Sequence, residues 1–212
     1  MRRLPIILAL LLALPTTSFA YTLQQLRRAA GDDMHITYEH RSRRLVVLDQ
    51  MAWNAEHHDW GGLQVYRSPA QGLTLHVPAS WHKVERAFGT LVSFVSPLEA
   101  EDDRIRENIN VIAEDFGTER PSLYEYTAGT IALLRSRDPG MTFLSSRSIA
   151  LGNNPAFAVT YDEDTIIGHM RFEQVWTIVG SRMYLLTLTA TPETFDRYAP
   201  IFDTMLQTII LS

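Results

Sequence analysis

The chain has 212 residues, of which 46% are hydrophobic and 20% charged, and 19 Lys+Arg against 24 Asp+Glu give a formal charge of -5. That balance excludes disordered, collagen-like and polytopic membrane chains. The sequence has no cysteine, which excludes disulfide scaffolds, thiolate zinc sites and cysteine nucleophiles.

Arg2 and Arg3 precede an unbroken run of Ile, Leu and Ala from Ile6 to Leu14, and Pro15 separates that run from Ser18-Phe19-Ala20. A basic head, an apolar stretch and small residues in this order predict a secretory signal peptide over residues 1–20, cleaved after Ala20. Its shortness points to a Gram-negative exporter and a periplasmic product. Spanning a bilayer takes about 20 apolar residues, roughly twice what is present, and no later run reaches that length. Loss of Arg2 and Arg3 leaves 17 basic and 24 acidic residues, a net of -7. Negative charge and export both argue against nucleic acid as a partner.

Composition shifts at Gly61-Gly62, which divides the exported chain into an extension, residues 21–62, and a domain, residues 63–212. The extension opens with a short helix from Tyr21 that Gly31 stops, and continues with strands at Ile36–Glu39 and Leu45–Leu48 around a polar tip. In the domain, Leu73, Leu75 and Val77 alternate with Thr74 and His76 in a strand ended by Pro78. Leu91–Val95 and Asn108–Phe116 read as further strands. Ser122 and Glu125 form a capping box, followed by Leu123, Thr127, Ile131 and Leu134 at helical spacing. Met141–Leu151, Ala156–Tyr161, His169–Val179 and Met183–Ala190 are joined by short polar turns, so they must return as antiparallel hairpins. Both faces of the last strand are apolar, as a strand covered on both sides requires. Thr191-Pro192 starts a final helix whose apolar stripe runs from Phe195 to Ile209. The expected class is α+β, an antiparallel sheet of about six or seven strands sandwiched by helices.

Several segments in this order resemble the PsbP-like superfamily of photosystem II extrinsic subunits, Mog-type Ran-binding proteins and bacterial DcrB-like proteins. They are Gly72–Trp81, Phe94–Pro97, Asn110-Val111, Ser122-Leu123, Leu151–Ala156 and the closing helix. The resemblance covers roughly residues 63–210. It implies an α/β/α sandwich and members that bind other proteins without a known catalytic centre. The metal and photosystem contacts of plant members have no matching motif here.

The search for chemistry finds little. There is no glycine-rich phosphate loop, so neither a nucleotide nor any other cofactor is expected. No G-x-S-x-G elbow exists; Ser80 and His82 flank Trp81 in what reads as a structural loop. Glu56-His57-His58-Asp59 is the most suggestive cluster, and His57, His58 and Asp59 are the weak candidates for a metal. Adjacent histidines point apart, however, so a solvated turn is the default reading. Asp162-Glu163-Asp164 with Glu173 imitates a calcium loop, but Ile166 and Ile167 occupy positions that require an oxygen ligand and a hinge glycine. The acidic run Glu99–Asp103 reads as a solvated face. Arg43, Trp53 and Trp60 in the extension are the candidate partner-binding residues. These observations favour a periplasmic, non-catalytic binding or accessory protein acting through an unknown protein partner. The alternative is an exported metal-binding protein or metal-dependent hydrolase using the upstream histidines.

Processing is directly measurable. The native protein should begin at Tyr21 and fractionate with the periplasm, whereas an intact mass that retains Met1 would contradict cleavage.

Overall fold

The structure is a computed structural model and describes residues 62–86, 89–99, 105–137 and 140–212. Residues 1–61, with the expected signal peptide and the extension up to residue 61, lie outside the described residues. Seven strands form the main antiparallel sheet: β3 (His82–Glu85), β4 (Val92–Val95), β5 (Asn108–Asp115), β6 (Thr142–Leu151), β7 (Asn154–Thr165), β8 (Gly168–Val179) and β9 (Arg182–Ala190). Their order is β3-β4-β5-β9-β8-β7-β6. A smaller sheet orders β1 (Leu63–Ser68), β2 (Leu73–Pro78) and β10 (Ile210–Leu211) as β1-β2-β10. The helices are α1 (Leu123–Arg137) and α2 (Pro192–Thr208). The α+β sandwich is therefore present, with a second small sheet beside the expected one.

The meander β6 to β9 returns the chain to β5, where Val111 pairs with Leu186. Side-chain alternation gives each face of the main sheet its own core. On the first face Val92, Phe94, Ile109, Val111, Tyr184, Leu186 and Leu188 pack with the inward row Leu73, Leu75 and Val77 of β2 and with α2. On the second face Phe157, Val159, Met170, Phe172, Trp176 and Leu185 pack with Tyr126 and Ile131 of α1. The Trp176 Nε1–H, fully buried, donates to Thr127 Oγ1 at 2.9 Å and satisfies the one polar atom of that ring.

Local signals set the helix ends. The Ser122 N–H donates to Glu125 Oε2 at 3.0 Å and the Glu125 N–H donates to Ser122 Oγ at 3.1 Å, a reciprocal capping box. Thr191 caps α2 by accepting from the Thr194 N–H at 3.3 Å. After α2 the chain passes so close to Gly152 (φ 58°) that a Cβ there would lie 2.5 Å from the Ile209 carbonyl oxygen. Only glycine fits that crossing. The last residues then add β10 to β2.

Leu186 is fully buried at the centre of β9, so Leu186→Asp should cost several kcal/mol and unfold the domain at ordinary temperatures. Thr74→Asp, on the outward face of β2, should shift the melt far less. Equal melting temperatures for the two variants would contradict this placement.

Candidate functional site

The sequence candidates His57, His58, Asp59, Arg43, Trp53 and Trp60 all lie outside the described residues. Of those inside, Ser80 and His82 are exposed. Trp81 between them turns inward, edge-on to Tyr198 with ring centroids 5.9 Å apart.

Charged side chains gather in two places. The first is the corner where β6, β7 and β8 meet the start of α2. Arg171 grips Asp162 with Nε to Oδ1 at 2.7 Å and Nη2 to Oδ2 at 2.8 Å, and its guanidinium lies 5.6 Å from the Phe195 ring centroid. Two-point contact of this kind is the strong form of a charged hydrogen bond. It holds the Asp162 carboxyl below the usual carboxylate range against the opposing effect of burial. Beside this pair Arg147 Nη2 reaches Glu173 Oε1 at 2.5 Å, and His169 Nδ1 meets Asp164 Oδ1 at 2.7 Å. The calcium-like run is thus a hairpin arm: Asp162 and Glu173 face arginines.

The second place is where α2 meets the loop after β4. The Tyr198 hydroxyl donates to Glu99 Oε1, and Arg197 Nη2 holds Glu99 Oε2 at 2.5 Å. Burial, with Glu99 next, pushes the Tyr198 phenol well above its ordinary range. It is a neutral donor, not a nucleophile. Glu107 is buried and accepts from Ser96 Oγ at 3.1 Å. Glu99, exposed as the solvated reading of the acidic run expects, also ties that loop to the helix.

Neither cluster has the pattern of an acid–base centre, in which neighbours push two pKa values apart around a substrate-sized gap. Among the described residues no three His, Asp or Glu side chains converge on a metal-sized site. Burial alone raises the half-buried Glu114 carboxyl on β5.

The surface is more distinctive. Leu63, Val65 and Ile210 are 49%, 46% and 61% exposed, and alternation puts them on the outward face of the small sheet. β1 is also an outer strand, paired only with β2 among the described residues. The other outer strands carry familiar protection. β3 has four residues, with Lys83 and Glu85 ion-paired at 2.8 Å, β10 has two residues, and β6 has an irregular register between Phe143 and Ser145. β1 has six residues and one charge, Arg67. The sequence reading passed over this strand, although Leu63 and Val65 alternate with Gln64 and Tyr66.

No family model matches the chain, and no curated protein is similar to it in sequence. Solved structures share its fold. Cyanobacterial PsbP (CyanoP) from Synechocystis sp. PCC 6803 superposes with a TM-score of 0.55 at 15% identity, over 71% of this chain and 93% of its own. LpqN of Mycobacterium tuberculosis, involved in cell envelope biogenesis, gives 0.56 at 14% identity over 76% and 96%. PA94 from Pseudomonas aeruginosa, a protein of unknown function, gives 0.50 at 17% identity over 72% and 99%.

The Asp162–Arg171 pair has a pH signature. Because the folded carboxyl titrates below its unfolded value of about 3.9, the pair contributes stability above that pH and loses it as pH falls through the folded value. Asp162→Asn should therefore cost about 1–3 kcal/mol at pH 7. The gap to the unmodified protein should close in melts below about pH 4. A gap that persists unchanged at pH 2 would show that the aspartate acts through packing instead.

Proposed function

We propose that this chain, which has the PsbP-like fold, is an exported periplasmic accessory protein without a catalytic centre that acts through protein–protein contacts. The observation that carries the reading is β1: an outer strand with Leu63 and Val65 turned to solvent where the other outer strands are short, charged or irregular. A strand of this kind offers backbone donors and acceptors to an extended partner segment, and alternate apolar side chains give it register. The extension enters directly before Leu63, so Arg43, Trp53 and Trp60 are proposed to complete the same recognition surface. Support for export comes from residues 1–20, and LpqN offers a parallel, being a protein of this fold involved in cell envelope biogenesis. The arginine-held state of Asp162 and the neutral phenol of Tyr198 support a binding role over an acid–base one.

The test is cross-linking and pull-down of the full chain from its native periplasm. Leu63→Glu with Val65→Glu, and separately Trp53→Ala with Arg43→Ala, should leave the melt within a few degrees and reduce recovery of the cross-linked partner at least tenfold. Unchanged recovery with both pairs would remove the surface from consideration. Stoichiometric zinc in tag-free protein, lost in His57→Ala with His58→Ala, would replace the reading with a metal-dependent one.

A further inference from the structure

The β7–β8 hairpin is the longest element of the sheet, and it outruns its neighbours. β6 pairs with β7 no further than Asp162, and β9 pairs with β8 no further than Arg171. Residues 163–170 therefore run on past the paired strands as a two-stranded finger, about 13 Å long at 3.3 Å per residue, with Met170 fully buried on its inner face. The Thr165–Gly168 pair closes it around a two-residue tip, Ile166-Ile167.

That tip runs against local chemistry. Two-residue hairpin loops are normally built from Asn, Asp and Gly, and β-branched residues belong in half-buried strands. Neither isoleucine takes a positive φ, since Arg86 is the only non-glycine that does among the described residues. Gly168, at φ 135°, supplies the unusual conformation in their place. The Thr165 hydroxyl braces the turn, donating to the Gly168 carbonyl at 2.8 Å and accepting from the Ile167 N–H at 3.3 Å. Ile167 packs against the second core, and a Cβ on Gly168 would meet Ile105 at 3.9 Å. Ile166 points the other way and is 82% exposed, more than any other large apolar side chain among the described residues. A lone apolar residue on a broad surface needs no explanation. One held at the apex of a braced finger does, because a polar turn residue would serve the fold at least as well.

The surroundings define the partner. Asp164 beside the tip is 91% exposed and bonds His169 at 2.7 Å; Glu193 at the start of α2 lies within electrostatic reach of that histidine, and Asp196 within reach of Arg171 at the base, whose guanidinium is already committed to Asp162. A second copy would bring two acidic rims together, and an anionic lipid surface would repel the same charges. We infer that Ile166 is a docking knob for an apolar pocket rimmed by Lys and Arg on a partner protein. This rests on the proposed binding role but not on β1, which is a separate surface.

The experiment places the photo-crosslinker benzoylphenylalanine at position 166 in the full chain, in the native periplasm, with positions 65 and 153 for comparison. The expected result is one discrete protein adduct from position 166 whose cross-linked peptide combines apolar residues with Lys or Arg. Asp164→Lys should cut its yield at least fivefold, and Ile166→Asn, compatible with the turn, should compete for no partner while melting within about 2 °C of the unmodified protein. An adduct to a second copy, to phosphatidylglycerol, to a peptide rich in Asp and Glu, or no adduct at all would overturn the inference. Adducts from position 65 with none from 166 would sink the knob and leave the proposed function standing. Silence at both positions would count against each.

Discussion

Strand β9 has to be covered on both faces, and the layered architecture follows from that. From Met183 to Ala190 every residue is buried, so polar water-facing positions are absent and the strand must sit inside a sheet with a layer on either side. The first face takes α2 and the small sheet, the second takes α1. The meander order places β9 between β5 and β8, where its backbone groups are paired along both edges. Burial of Tyr184, Leu186 and Leu188 against one layer and Met183 and Leu185 against the other supplies the apolar area that a domain of this size depends on.

Within that scaffold the charged side chains fasten parts together. Arg171 joins β8 to Asp162 and to Phe195 of α2, Arg147 joins the outer strand β6 to Glu173, and Tyr198 with Arg197 ties the loop after β4 to α2. The bond from Arg171 holds the Asp162 carboxyl low and burial holds the Tyr198 phenol high, so both keep one protonation state near neutral pH. Such groups hold geometry and are poorly placed to exchange protons with a substrate. The binding role proposed above accordingly rests on the periphery, on surfaces where apolar groups remain in water.

What could be read from the residues were the features with strong local signals. Ser122 with Glu125, Thr191 with Pro192, and the polar turns of the meander each announce an element within a few positions, and their order carried the likeness to PsbP-like proteins. Features that depend on distant partners were not legible. β3 has four residues and is a strand because β4 lies beside it; β10 has two and exists because β2 waits for the chain end. Pro200 sits inside α2, where local preference forbids it, and the buried stripe on either side overrides the preference. The candidate residues of the extension stood out by composition. Ile166 instead looked like a failed calcium ligand, since its exposure at a protruding tip is a property of the pairing register and not of any short motif.

A scaffold with a doubly covered centre and exposed rims has a definite distribution of local stability. Amide hydrogen exchange of the full chain measures it residue by residue. The amides of β9 from Tyr184 to Leu188 should exchange only through global unfolding, while those of β1 exchange through smaller openings, at least a hundredfold faster. If β1 is protected to the same degree as β9, or β9 opens independently of global unfolding, the doubly covered strand is not what the fold depends on and the account fails.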